Sequence, residues 1–219
     1  MKTNPGWLRL TQLPETRLRS TDLTQESRQK VIDTAKYSLS QNPNQQKEIV
    51  IERCVIAQLA EQLVAEWMEG WCNHGSEDTS DPLSYGYDVL SNIKYCGLRI
   101  EVKTHQSASS YISVNTGHVG PFKGTKGLHV RPFLDLGIAD VMIVIETKPD
   151  ITSGGWIMIP KVMLDPNALR HPRVTHESQY GDGYFLKLGF ISEKVSDLMN
   201  IFIFKNNSQD SLLYQKDVI

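Results

Sequence analysis

Residues 87–104 read YDVLSNIKYCGLRIEVKT. Alternation in LRIEVKT sends Leu98, Ile100 and Val102 to one face of a strand and Arg99, Glu101, Lys103 and His105 to the other. Glu101 and Lys103 therefore share a face. Asp88 stands on the preceding strand, expected from about Tyr87 to Tyr95, and the two strands join near Cys96 and Gly97. The face opposite Glu101 is apolar and β-branched, which predicts a central strand rather than an edge, and charges leaving a central strand need a reason. Either the pair is a hairpin with a wet, charged face, or Asp88, Glu101 and Lys103 are parts of one site.

Outward from this stretch the chain reads as helices, then strands, then mixed elements. Ser20 or Thr21 is expected to cap a helix to about Leu39, with Val31, Ile32, Ala35 and Leu39 on one face. After the polar break SQNPNQQ a long helix is expected from about Gln46 to Cys72. Ile56, Leu59, Ala60, Leu63, Trp67 and Trp71 form its apolar stripe. Downstream, Ala139 to Glu146 (ADVMIVIE) and Gly155 to Pro160 (GWIMIP) are short apolar runs bounded by turn signals and read as strands. YFLKLGF reads as another strand, and Ser192 opens a helix carrying Val195, Leu198, Met199 and Phe202. Two polar excursions interrupt the pattern, Ser107 to Phe133 and Asp165 to Asp182, and long irregular stretches of this kind carry function. The order predicts an α/β fold with a central mixed β-sheet flanked by helices.

With 219 residues one buried domain is expected. It divides into an N-terminal helical extension (1–45), a core (46–160) and C-terminal elements (161–219). Composition is that of a soluble protein, 40% hydrophobic and 22% charged with a net charge of -2. No apolar run is long enough to span a bilayer, and the first residues lack a secretory apolar segment, so a cytoplasmic protein is expected. Cys54, Cys72 and Cys96 have neither disulfide nor zinc spacing. Charge is uneven, however. Between Lys94 and Phe133 the cations Lys94, Arg99, Lys103, Lys123, Lys126 and Arg131 face one acid, Glu101. Such a patch attracts phosphates as readily as it forms a solvated loop face.

Two carboxylates brought together repel unless a cation lies between them, and oxygen ligands of this kind suit Mg²⁺. Asp88 and Glu101 would be its ligands, with the Val102 carbonyl as a third. Lys103 would stabilise charge developing on a phosphorus centre or, with a lowered pKa, orient or deprotonate the attacking water. Glu52, spaced four, seven and eleven residues before Ile56, Leu59 and Leu63, falls on the apolar stripe of the long helix. It pairs with Arg53 or Lys47, or it is a further site acid. No phosphate-cradling G-x-x-x-x-G-K-[ST], H-E-x-x-H or G-x-S-x-G motif is present, and the six histidines lack metal-ligand spacing.

Glu52 on its helix, Asp88, Glu101-x-Lys103 and the strands IADVMIVI and GWIMIP together resemble the core of the PD-(D/E)XK nuclease superfamily, over roughly Lys47 to Pro160. The resemblance implies a restriction-endonuclease-like sheet and Mg²⁺-dependent hydrolysis of DNA. It implies Asp88 and Glu101 as metal ligands, Lys103 as catalytic lysine and Glu52 as helix acid. Tyr87 replaces the proline of the family motif. A type II restriction endonuclease is the form it suggests, a homodimer cutting double-stranded DNA at a short site without a nucleotide cofactor. The alternatives are a repair, recombination or homing nuclease, or a non-catalytic DNA-binding protein. DNA contacts are expected from His105, Gln106, Ser109, Tyr111, Asn115, Lys123, Lys126 and Arg131 in the first excursion. The second would supply Asn167, Arg170, Arg173, His176 and Gln179, since Arg and Lys read guanine, Asn and Gln adenine, and hydroxyls phosphate.

Overall fold

The computed structural model describes residues 1–75, 81–105, 111–115, 128–129, 132–177, 183–187 and 191–205. A layer of helices covers one face of a mixed sheet, short helices and a second sheet cover the other, and apolar side chains leave both faces. The central strands are β4 (Arg99–His105) and β7 (Val141–Asp150), which run parallel with Glu101 opposite Met142 and Lys103 opposite Val144. β7 then turns back antiparallel into β8 (Gly155–Leu164). The full order is β1 (Thr16–Leu18), β8, β7, β4, β3 (Val89–Leu90) and β2 (Trp71–Cys72), and β11 (Ile201–Ile203) also pairs with β8. β4 is thus central, as the alternation predicts.

Burial explains why VMIVI reads as an unbroken apolar run. Val141, Ile143 and Ile145 enter one core with the long helix, whereas Met142 and Val144 enter a second core on the other face. β8 accommodates Pro160, which has no N–H for a ladder, in the gap between its pairing with β1 (up to Met158) and with β11 (from Val162).

The first core is built by α1 (Pro5–Leu10), α2 (Gln25–Gln41) and α3 (Lys47–Trp67). Asn4 caps α1 and Thr24 caps α2, its hydroxyl accepting the Ser27 N–H at 3.2 Å. The α2 cap therefore lies later than Ser20 or Thr21, which form a short 3-10 turn with Asp22. Leu59, Ala60 and Val64 of α3 are fully buried, each larger side chain contributing roughly 1.5–3 kcal/mol by burial. The segment 1–45 is more than a helical extension: β1 extends the sheet, and Trp7, Leu10 and Val31 lie in the core.

α3 ends at Trp67, earlier than expected. Glu69 adopts φ 47°, the Gly70 N–H donates to Ala65 O at 2.9 Å, and the chain leaves the helix. Gly70 is required there, since a Cβ would stand 2.0 Å from Leu90 O. Trp71 consequently belongs to β2, half exposed, and not to the helix stripe. The expected strand from Tyr87 to Tyr95 shortens to Val89–Leu90. Asn92 caps a 3-10 turn, Ile93–Tyr95, and Ser91 Oγ accepts the Leu98 N–H at 2.7 Å in place of a ladder bond.

The second core lies under α4 (Pro166–Leu169), α5 (Glu193–Leu198) and a four-stranded sheet. That sheet has the order β6 (Leu128–His129), β5 (Tyr111–Asn115), β10 (Gly183–Lys187), β9 (Thr175–Glu177). Strands from the first polar excursion thus join strands at and beyond the second. Phe202, expected on the helix after Ser192, belongs to β11. Among the described residues no helix is long and apolar enough to cross a membrane.

Candidate functional site

Asp88 is the last residue before β3, and it holds β4 from two directions. Its own N–H donates to Ile100 O at 2.9 Å, and its Oδ2 accepts the Val102 N–H at 2.7 Å. The residue between those contacts is Glu101. In a strand the N–H and C=O of one residue point toward the same neighbour. The Val102 carbonyl therefore faces the Asp88 side, past the end of β3.

Glu101 is 3% exposed. Its Oε1 is paired with the Lys103 ammonium, while Oε2 is buried without a hydrogen-bond partner. An unpartnered buried carboxylate oxygen is costly and calls for an explanation in the site's chemistry. Burial first, and then the neighbouring Asp88 charge, push the Glu101 carboxyl up to about 7, against the pull of Lys103. Burial alone would lower the Lys103 pKa, but Glu101 and Asp88 outweigh it and hold the ammonium above its ordinary range. Of the two roles open to Lys103, a fixed cation fits this direction and a neutral base does not.

The α3 glutamate that lies beside Asp88 is Glu61 and not Glu52. Glu52 does share the angular position of Ile56, Leu59 and Leu63, but it is exposed, as are Ile49 and Ile51. Glu61 lies nine residues on, about 2.5 turns and therefore on the opposite side of the helix, where α2 covers it. It is 7% exposed, and its Oε2 accepts from Gln58 Nε2 at 2.5 Å. Burial, then Asp88, push its carboxyl up to about 8. Glu61 and Glu101 thus both feel Asp88, and each is held away from the charged form by burial and by a like charge. Lys30 of α2, whose Nζ donates to Asn73 O at 2.6 Å, lowers both.

Among the described residues no three His, Cys, Asp or Glu side chains gather closely enough to hold a metal by themselves. The groups that could hold one are Asp88, the orphaned Glu101 oxygen and the Val102 carbonyl. A small, strongly hydrated cation such as Mg²⁺ keeps several waters and needs only one or two carboxylates.

The expected DNA contacts divide. Gln106, Ser109, Lys123, Lys126, Arg131 and Gln179 lie outside the described residues. Tyr111 and Asn115 belong to β5 and His176 to β9, and β10 pairs with both strands, so these three positions share one sheet. His105 ends β4 opposite Glu146. Asn167 and Arg170 at α4 and Arg173 just beyond are exposed. Spacing alone puts Glu61 on an outer or flanking position of the long helix, whereas it is buried, and it singles out neither Lys30 nor Gln58. Two polar residues three apart inside the most apolar helix were the available signal for Gln58 and Glu61.

Comparison with known proteins follows the same stretch of chain. The family model for bacteriophage T4 endonuclease IV matches residues 1–188. The chain is 48% identical over 187 residues to Endonuclease IV of Enterobacteria phage T4, an alignment covering 85% of this chain and 99% of that protein. No solved structure matches. The matched span contains the positions of Glu61, Asp88, Glu101 and Lys103.

Proposed function

This chain belongs to the bacteriophage T4 endonuclease IV family, and on that premise we propose that it is a Mg²⁺-dependent DNA endonuclease centred on Asp88, Glu101 and Lys103. The observation that carries the proposal is the buried Glu101–Lys103 pair beside Asp88, with one Glu101 oxygen left unpartnered. A structural ion pair would satisfy both oxygens, whereas a centre built around a cation leaves a lone pair for it.

Asp88, Glu101 and the Val102 carbonyl would hold the cation. When bound it supplies Lewis acidity toward a phosphodiester oxygen and acidifies a water. The protein's own groups do the rest. Lys103 Nζ, kept charged by Glu101 and Asp88, meets negative charge that grows on the phosphate oxygens as water adds and the ester oxygen leaves. Asp88, anchored on the Val102 N–H, fixes the position of Glu101's neighbours. Glu61, with its raised pKa, is suited to hold a proton near the reacting water and exchange it at neutral pH. The central strand, the preceding aspartate and the buried helix acid support grouping this core with the PD-(D/E)XK nucleases, with Glu61 in place of Glu52.

The substrate is read as DNA, with the exposed Arg170 and Arg173 as phosphate contacts. The type II restriction form adds a homodimer and a short duplex site. Incubating the protein with supercoiled plasmid and with single-stranded circular DNA, with Mg²⁺ or with EDTA, tests all of this. Mg²⁺-dependent conversion of a circle to linear fragments is expected, and discrete plasmid bands would support the restriction form. Intact circles of both kinds with Mg²⁺ present would contradict the proposal.

A further inference from the structure

A cleft of about 320 Å³ opens between α2 and α3 and reaches Asp88. That volume is at the low end of small-ligand sites, roughly 300–1,000 Å³, and far too small for a duplex. Lys30 and Arg53 line it, together with Thr34, Ser38 and Gln58, and the Glu61 carboxyl lines it beside Asp88. Neither cation has a carboxylate within ion-pair distance among the described residues. Lys30 spends one donor on Asn73 O at 2.6 Å, and Arg53 donates to Gln45 Oε1 at 2.9 Å and to Ile49 O at 3.3 Å. Each keeps donors for an anion.

Gln58 supplies an independent demand. It is 4% exposed, its Nε2 is committed to Glu61, and its Oε1 is buried without a partner. A buried acceptor of this kind requires an N–H or O–H donor. A phosphodiester does not offer one, and a neutral base does not satisfy two cations. A nucleotide carries both groups.

We propose that the α2–α3 cleft is a nucleotide subsite, taking the phosphate-and-base unit of the DNA strand next to the bond that is cut. Lys30 and Arg53 hold its phosphate, and Gln58 Oε1 accepts from its base or sugar. The subsite rests on the endonuclease reading, because Asp88 joins the cleft to the proposed centre.

The test measures binding of a fluorescein-labelled oligonucleotide, single-stranded and duplex, in EDTA, so that binding is read without cleavage. Thermal midpoints of every variant are recorded alongside. Lys30→Gln with Arg53→Gln is expected to weaken binding at least about tenfold, each charge-assisted contact being a substantial share of a phosphate's affinity. Lys36→Gln with Lys47→Gln removes the same charge from exposed positions outside the cleft and is expected to weaken it less than about threefold. Ser38→Trp, which fills the cleft without changing charge, is expected to behave like the first pair. Each of the four 5′-deoxynucleoside monophosphates is also titrated, and displacement of the oligonucleotide by at least one is expected. Equal losses in the two double variants, or full binding by Ser38→Trp, would overturn the subsite. A mononucleotide that binds without displacing the oligonucleotide assigns the cleft to free nucleotide and overturns its place on the strand. Those outcomes leave a wild type that binds and cuts DNA, whereas a wild type that does neither removes the endonuclease reading itself.

Discussion

The Asp88 carboxylate accepts the Val102 N–H at 2.7 Å, and the Asp88 N–H donates to Ile100 O at 2.9 Å, so one residue clasps β4 on both sides of Glu101. This gives Asp88 a structural task and, under the proposed function, a chemical one, and the two separate by substitution. Asp88→Asn keeps an amide oxygen for the Val102 N–H and removes the charge. Its thermal midpoint should stay near that of the wild type while Mg²⁺-dependent cleavage falls at least about a hundredfold. Asp88→Ala should lose cleavage and also melt lower. Normal turnover by Asp88→Asn would leave Asp88 only the clasp.

Two glutamates of α3 should differ in effect. Glu61→Gln is expected to slow cleavage at least about tenfold, as removal of a supporting acid beside a metal does. Glu52→Gln should stay within about twofold, since an exposed side chain away from the site has little to change. Saturating cleavage rates for both variants decide between them. A slow Glu52→Gln with a normal Glu61→Gln would return the role to the residue that the stripe alone selects.

Metal-free protein should lose stability as pH rises. Glu61 and Glu101 have folded values of about 8 and about 7, above the ordinary 4.5. Between these limits the folded state holds protons that the unfolded state has released. Unfolding free energy therefore falls with pH, with the full contribution present below about 4.5 and gone above about 8. Thermal midpoints from pH 5 to 9 in EDTA should decline accordingly. Adding Mg²⁺ at the upper end should raise them by binding the charged form. A flat profile that Mg²⁺ does not move would contradict both the burial argument and the cation.

Arg170 and Arg173 are exposed in and just beyond the turn that follows α4. If they contact phosphates, Arg170→Ala with Arg173→Ala should weaken DNA binding and reduce the slope of log affinity against log salt by about 2, one unit per contact. Binding titrations at several salt concentrations read the slope. An unchanged slope would remove both residues from the interface.

What the sequence disclosed follows from how far each signal reaches. ADVMIVIE announces β7 because a strand buried on both faces needs apolar residues throughout, and E-x-K announces a shared face because strand alternation is strictly local. Glu61 was hidden for a physical reason. A stripe identifies one apolar side of a helix, but α3 also buries Glu61 on its other side while Ile49, Ile51 and Glu52 near its start stay exposed, and only the placement of α2 decides which glutamate is enclosed. β3 was overread because Ser91 and Asn92 replace ladder bonds by side-chain bonds. The four-stranded sheet pairs residues as distant as Asn115 and Gly183, a register that no local pattern encodes.

The buried Glu101–Lys103 pair as a cleaving centre is tested most directly by the single-turnover cleavage rate of Lys103→Met at saturating DNA and Mg²⁺. Methionine keeps most of the length of the side chain and removes its charge. The expected result is a rate at least about a hundredfold below wild type, with oligonucleotide affinity within about threefold, since a group that meets charge developing in the transition state adds little to ground-state binding. A cleavage rate within threefold of wild type would contradict it.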